Sequence, residues 1–416
     1  MEVTAAITAA LAAAIRRGGA DAEVTAAVPE GYAVSGPWPA CTVIARDEAA
    51  VRQVVATASE RGWSVVVRGA GTLDRWGGPL HAGPLIVLDD RGLEGIVAHA
   101  PGDLTVRVRA GTRLAVLNAF LRGAGQRVCL HPPAADRATV GGVVAGDAWG
   151  PERATHGSAR DLVLGLRVVD GRGEAFATGG QVVKNVSGLD IGKLFIGSFG
   201  TLGILTEVAL RLRPLPVREM VWAMRPPDLA AAWRIAGGLA ALEPVGAALD
   251  TAGGGLTLSA ALEGVPAELD LQTARLESLG QGSALDPAGA AEAWRLAHEP
   301  VREAHWAVLR LDVPEGALEP LWRMASQRSE VIRLVAWLGL GTLWCTIGQQ
   351  SAATLVALRR EAEAAGGRAI LASAPAQAPA DFPPLGDPGE LAGLLGGIKG
   401  RFDPAGVLAP GRMPLG

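Results

Sequence analysis

At Val65-Val66-Val67-Arg68-Gly69-Ala70-Gly71-Thr72 three β-branched residues run straight into a turn of small ones. A strand must end there, and the small residues after it leave backbone N–H groups open to converge on an anion such as a diphosphate, because no side chain blocks the approach. A Rossmann dinucleotide unit needs a third glycine at position 74 and a helix directly after it. Asp74 stands at that position and Trp76-Gly77-Gly78-Pro79 forbids the helix, which argues against nicotinamide binding in that mode. Alone, the turn fits an ordinary tight turn as well as it fits a ligand cradle.

Two further Gly-rich stretches change that balance. Pro132-Pro133-Ala134-Ala135-Asp136-Arg137-Ala138-Thr139-Val140-Gly141-Gly142-Val143-Val144-Ala145-Gly146 offers a second length of backbone able to lie flat against a ligand, and His156-Gly157-Ser158-Ala159-Arg160-Asp161 then turns into a strand from Leu162 to Val169. Two separated cradles suit a long, extended dinucleotide. In the third stretch, Gly179 to Pro216, Gly200-Thr201-Leu202-Gly203 opens an apolar strand from Ile204 to Leu212 whose backbone can face the pyrimidine edge of a flavin. Lys184 and Asn185 stand ahead of it as candidate polar neighbours, although a lone Lys serves equally well as a solvated surface residue.

Between Pro39 and Asp90 the pattern reads strand, helix, strand, turn, strand, with Asp47 as the helix cap and Ala50, Val51, Val54, Val55 and Ala58 on one helical face. A second unit reaches Pro216, with two strands and a helix followed by a hairpin turned at Asp170-Gly171-Arg172-Gly173. From Val217 to Pro388 the texture changes to Ala-rich helical runs and Trp-containing strands, without a catalytic motif. The last segment is a short helix ended by Arg401-Phe402-Asp403-Pro404, then an extended tail with so specific a turn that it is expected to dock. The expected divisions are residues 1–36, a lead-in helix; 37–216, split at 92/93; 217–388; and 389–416.

A length of 416 residues calls for two or three packed units. The net charge of -4 offers no basic footprint for nucleic acid, so no nucleic-acid partner is expected. Cys41, Cys129 and Cys345 stand alone, with no Cys-x-x-Cys spacing, so neither a disulfide framework nor a metal or iron–sulfur site is expected and a reducing cytoplasm fits best. The N-terminus lacks a basic region ahead of its Ala-rich run and reads as an amphipathic helix, not a signal. Leu334 to Gly348 is too short to span a bilayer and reads as a buried strand or core segment, so no transmembrane segment is expected.

In this order, from Pro39 to Pro216, the three glycine-rich elements resemble the FAD-binding domain of the p-cresol methylhydroxylase and vanillyl-alcohol oxidase superfamily. Within it, the stretch from Gly179 to Val208, Trp76-Gly77 after the first turn, and the ending from Phe402 to Met413 are similar to the FAD-binding subunits of bacterial glycolate oxidases. The chain departs from that pattern at Leu189, where Tyr is usual, at Ala70, where Gly or Ser is, and at Ala409, where Asn is. The resemblance implies an α+β fold: a two-part FAD-binding domain of the p-cresol methylhydroxylase type, made of a small α/β and a mixed α+β subdomain, with an α+β cap region and a C-terminal tail returning to the flavin domain. It places Arg68, Gly69, Ala70, Gly71, Thr72 and Leu73 at the diphosphate and Thr139, Val140, Gly141, Gly142, Gly203 and Ile204 along the cofactor. Trp76, Pro132, Pro133, Gly146, Gly157, Ser158 and Asp161 complete the expected cofactor-binding set. No histidine lies in the first turn, so the FAD is expected to be noncovalent.

Oxidation of a 2-hydroxy acid by a flavin needs a base for the hydroxyl proton and a cation for the carboxylate. His131 and His156 flank the second cradle and, with Lys184, are the candidate catalytic residues, although structural roles explain the histidines more simply. His298 lies in the cap-like region, where an exposed helical face is the plainer expectation. Related 2-hydroxy acid dehydrogenases cluster His and acidic residues around a metal in their C-terminal half, and the sequence has no such cluster. The resemblance therefore implies a flavin-bearing subunit with two partners, a homologous catalytic flavoprotein and an iron–sulfur subunit, acting on a small 2-hydroxy acid such as glycolate. A self-sufficient D-2-hydroxy acid dehydrogenase and a flavin-free scaffold are the competing expectations.

Overall fold

The computed structural model describes residues 2–81, 83–180, 190–298, 307–348, 351–373 and 382–414. Two compact units emerge: Met1–Ala148 with Ser158–Pro214 and Asp387–Gly416, and Trp149–Gly157 with Leu215–Gly386.

The first unit holds two sheets. Strands β1 (Ala22–Thr25), β2 (Cys41–Ala45), β3 (Ser64–Arg68) and β4 (Leu85–Asp89) form one, in the order β1-β2-β4-β3, with β2, β4 and β3 parallel. All five residues of β4 are buried, as a strand covered on both faces of a parallel sheet must be. Helix α1 (Glu2–Arg17) packs Ile7, Leu11 and Ile15 into the core that α2 (Glu48–Arg61) shares. Helix α2 begins where Asp47 Oδ1 accepts from Ala50 N at 2.7 Å and stops at Gly62, which takes the left-handed conformation that glycine adopts without strain. Each buried Val, Leu or Ile side chain here contributes about 2 kcal/mol before the entropy of ordering the chain is counted.

The second sheet runs β5-β6-β10-β8-β9, all antiparallel, from β5 (Ile96–Ala100), β6 (Thr105–Arg109), β8 (Val163–Val169), β9 (Ala175–Gly179) and β10 (Ile204–Arg211), while the two-residue β7 (Gln126–Arg127) pairs outside it with Arg213–Pro214. In β6 the valines point inward and Arg107 and Arg109 outward, the alternation of a sheet with one solvated face. Helix α3 (Leu114–Arg122) and α4 (Val140–Gly146) cover its inner face. The hairpin between β8 and β9 is held by Asp170 Oδ1, which accepts from Arg172 N and Glu174 N, both at 2.9 Å. At residues 139–146 the structure differs from the flat backbone expected there: Thr139 caps a helix, and Val140, Val143 and Val144 fall on one face that the core buries. Packing of that face outweighs the poor helix propensity of three glycines.

The second unit contains, among its described residues, an eight-stranded antiparallel sheet, Gly282–Ala284, Arg218–Met224, Thr257–Gly264, Gly246–Asp250, Val331–Leu338, Thr342–Ile347, Ala307–Asp312 and Arg368–Ser373 in spatial order. Four helices, Leu229–Leu239, Pro266–Leu279, Glu315–Ser326 and Ala352–Ala364, bury one face of it around Trp322, Leu309 and Leu343. The stretch from Leu334 to Gly348 is a buried hairpin of two of these strands.

The tail returns to the first unit. After the helix Ala392–Phe402, Asp403 accepts from Val407 N (3.1 Å), Leu408 N (2.8 Å) and Lys399 Nζ (2.5 Å), which sets the turn. Leu408 then bridges Val65 of β3 in parallel, with Val65 N donating to Val407 O and Ala409 N to Val65 O, each at 2.8 Å. The α+β class and the returning tail expected from the sequence are both present. No helix of the described residues is long and apolar enough to cross a membrane.

Candidate cofactor-binding site

Where β3 ends, the first unit opens a narrow, solvent-open cleft with a cavity volume of about 80 Å³. One wall is the end of β3 and its turn, Val66 to Asp74; the other is Thr139, Gly141, Gly142, Ala145 and Gly146 of α4 and its cap. Phe199, Gly200, Gly203 and Leu205 contribute from the entry to β10, Asp90 from the end of β4, and Arg412 from the tail.

Glycine is needed at two points of this wall for different reasons. Gly71 has φ +75° and sits over the Arg68 guanidinium, so a side chain there meets both strain and a charged group. Gly142 is ordinary helix, and a Cβ added to it would touch only Thr139 Oγ1, at 3.0 Å. Nothing but the open cleft stands in front of Gly142. Its N–H already donates to Thr139 Oγ1 (3.2 Å) and that of Gly141 to Ala110 O (2.7 Å), so these glycines supply room, not donors.

Two buried arginines line the cleft. Arg68, 5% exposed, donates from Nε to Asp74 Oδ2 at 2.8 Å, and Arg412, 6% exposed, donates from Nη2 to Leu73 O (3.1 Å) and Asp74 O (2.8 Å). Burial pulls Arg412 down to about 10, against the upward pull of Asp74 and Tyr32, which leaves it fully charged at neutral pH. Burial also raises Asp74, opposed by Arg68 and Arg412, and lifts Tyr32 to about 12, with Asp74 adding to the rise. Two guanidiniums face the carboxylate of Asp74 where the small-residue turn is; the other acid of the lining, Asp90, is pushed up to about 7 by burial, with Asp89 adding to the rise and Arg91 opposing it. A diphosphate suits the arginine end, and an extended cofactor suits so narrow a cleft. The residues present therefore fit FAD.

Of the residues expected at the cofactor, Arg68, Gly69, Ala70, Gly71, Thr72, Leu73, Thr139, Gly141, Gly142, Gly146 and Gly203 line the cleft. Val140 and Ile204 adjoin it but turn into the core. Trp76 is buried and closes the first turn, its N donating to Leu73 O at 3.0 Å. Pro132 and Pro133 are buried in the lead-in to Thr139. Ser158 and Asp161 form a capping box on the short helix Ala159–Leu162, with Ser158 N donating to Asp161 Oδ2 at 2.8 Å, and Gly157 ends the helix Arg153–His156 at φ +83°. None of these six lines the cleft.

His131 belongs to the first unit and is half-buried; His156 belongs to the second, buried, with Nε2 3.7 Å from Glu263 Oε2. Neither lines the cleft, and Lys184 and Asn185 lie outside the described residues. His298 is buried, not on an exposed face, with Nε2 2.7 Å from Glu152 Oε2 and Nδ1 2.7 Å from Trp294 O. Sequence reasoning missed Asp74, Asp90 and Arg412 as cleft residues. The signal for Arg412 was the tail's specific turn, and for Asp90 the paired acids ending an apolar strand.

Residues 39–179 match the family described as FAD binding domain. The chain is 44% identical to the glycolate oxidase subunit GlcE of Escherichia coli over 130 residues, 31% of this chain and 37% of that one. It is 30% identical to the glycolate oxidase subunit GlcD of Bacillus subtilis over 181 residues, 43% of this chain and 38% of the relative. The matches thus span well under half the length of these relatives. Among solved structures, p-cresol methylhydroxylase with substrate bound superposes with a TM-score of 0.69 at 16% identity, covering 92% of this chain and 91% of that one, a likeness of fold.

Proposed function

We propose that this chain, a member of the FAD-binding-domain family through residues 39–179, is the FAD-holding subunit of an assembly that oxidises a small 2-hydroxy acid, glycolate to glyoxylate. Bound FAD supplies the two-electron acceptor for the hydride leaving C2 of the acid, while the hydroxyl proton goes to a base. Arg68 and Arg412 hold the diphosphate, the turn Gly69 to Leu73 presents its backbone to it, and Gly142 leaves space for the cofactor against α4. The observation that carries this reading is the lining itself: among the described residues of the cleft there are two Arg and two Asp but no His, Lys or Glu. It is built to hold a cofactor and is poor in groups for substrate chemistry. The partners in this reading are a homologous catalytic flavoprotein and an iron–sulfur subunit. With three isolated cysteines the chain cannot itself supply the Cys set of a cluster, so the electrons leave through another protein. The assembly would work in the cytoplasm.

A second reading, a self-sufficient D-2-hydroxy acid dehydrogenase, is favoured by a cavity of about 720 Å³ within the second unit. Ser283, Ala223, Ser259 and Ala248 pair in register across four strands there, next to Arg225, an exposed guanidinium suited to a carboxylate. Reduction of an artificial dye with glycolate or D-lactate separates the two readings, using the purified chain alone and co-expressed with its genomic neighbours. Turnover only with partners supports the subunit; full turnover by the chain alone establishes the dehydrogenase.

A further inference from the structure

Strand β4 ends in two adjacent acids whose circumstances differ. Asp89 is fully engaged: its oxygens accept from Arg91 Nε at 2.9 and 3.1 Å, from Arg91 Nη2 at 2.5 Å and from Arg91 N at 3.0 Å. Asp90 is 4% exposed and lines the cleft, and its Oδ1 is shut off from solvent without a hydrogen-bond partner among the described residues. An ionised carboxylate in that position is costly, because one of its oxygens is stripped of water and offered no donor. A protonated carboxyl is not, provided its O–H finds an acceptor. The cleft in front of it is where an anionic cofactor, rich in acceptor oxygens, belongs.

We propose that Asp90 stands in the FAD cleft as a neutral carboxylic acid and donates a hydrogen bond to an oxygen of the cofactor's diphosphate, so that binding above neutral pH takes up a proton. This rests on the cleft being the FAD site. The placement fits the diphosphate end: Arg68, last residue of β3, stands beside Asp89 in the parallel register, which puts Asp90 next to the turn.

The charged groups around Asp90 do not favour its ionised form. On its own element Asp89 is a like charge, balanced by Arg91. From β3, Arg68 is already tied to Asp74; from the end of β2, Arg46 is tied to Asp21 and Glu23. The tail offers Arg412, which is committed to the carbonyls of Leu73 and Asp74. Ala110, Gly111 and Thr112 on one side and Thr139 with the α4 glycines on the other carry no charge. Burial, with Asp89 adding to it and Arg91 opposing, pushes Asp90 up to about 7. A diphosphate placed beside it pushes it higher still. The sign follows: a group whose pKa rises on binding favours binding fully below its free value and loses that contribution as pH climbs above it. FAD affinity should thus be constant below pH 7 and weaken by roughly tenfold per pH unit above it until the bound-state value is reached.

The test uses the full chain stripped of flavin and titrated with FAD between pH 6 and 9, read by quenching of flavin fluorescence, with calorimetry in buffers of different ionisation enthalpy to count protons. The wild type should lose about tenfold in affinity per unit above pH 7 and take up close to one proton at pH 8.5. Asp90→Asn keeps a donor and cannot ionise, so its affinity should be flat with pH and its proton uptake nil; Asp90→Leu, without a donor, should be flat and weaker at pH 6. A flat wild-type profile, proton release, or an unchanged slope in Asp90→Asn overturns the proposal and leaves FAD binding intact. The wild-type profile and proton count stand even where a variant folds poorly. A wild type that binds FAD at no pH overturns the cofactor site and this proposal together.

Discussion

Gly142→Leu asks most directly whether the space in front of α4 belongs to FAD, because the two consequences of the change fall on different measurements. In the apo protein the new side chain meets little: its Cβ would approach only Thr139 Oγ1, at 3.0 Å, and the rest extends into the cleft. Gly142 has helical backbone and lies in the first turn of α4, where replacing glycine lowers the conformational freedom of the unfolded chain and favours the folded state by up to about 1 kcal/mol. Stability in urea should therefore stay level or rise slightly. Cofactor binding should suffer, since four added carbons must occupy the space in front of α4 that the proposed cofactor needs. Overpacking of that kind costs about 3 kcal/mol, or roughly two powers of ten in affinity. Gly142→Ala, with one carbon, should lose much less, giving a graded series. Lys193→Ala is the control: Lys193 lies outside the cleft, its Nζ bonded to Arg160 O. The assay is flavin occupancy after purification together with an FAD titration of the stripped protein. Gly142→Leu binding FAD as tightly as the wild type would refute the placement of the cofactor along α4, and loss of binding with a collapse in stability would refute the claim that the space is open.

Two further outcomes follow from the same geometry. The FAD should be released into the supernatant by acid precipitation, since the first turn carries no histidine; colour held in the pellet would mean a covalent link elsewhere. Asp403→Ala should lower stability by about 3–5 kcal/mol, measured as a shift in the urea midpoint, because it leaves the largely buried Lys399 ammonium without its carboxylate and strips the acceptor from Val407 N and Leu408 N; a change under about 1 kcal/mol would mean the tail's turn is held by something else.

Much of the first unit was legible because its signals are local. Apolar runs of β-branched residues and an Asp cap set out β2, α2, β3 and β4, and part of each of the three glycine-rich stretches lines the cleft. The helix at Val140 to Gly146 was not, because glycines argue against a helix in isolation, and only the burial of Val140, Val143 and Val144 against a sheet formed elsewhere decides the matter. The Glu152–His298 contact was illegible for a related reason: the two residues are 146 positions apart, and neither segment carries a pattern that points to the other. His298 on a helix reads as surface until its partner is known.

The same reasoning explains why the cleft's chemistry was harder to read than its shape. A glycine-lined wall is written in consecutive residues, whereas its charge is assembled from Arg68, from Asp90 at the end of a different strand, and from Arg412, which donates to the carbonyl of Asp74 across 338 positions of sequence. Arg412 reaches the cleft only because Asp403 turns the tail and Leu408 bridges β3. Tail docking and the arginine end of the site are thus one structural event, with a thermodynamic consequence. If FAD binds more tightly when Arg412 is in place, then bound FAD must hold the tail in place by the same factor. The specific turn that the sequence displays so plainly, far from any glycine-rich cradle, thus belongs to the proposed FAD site: it brings Arg412, a second cation, to the cleft that Arg68 lines.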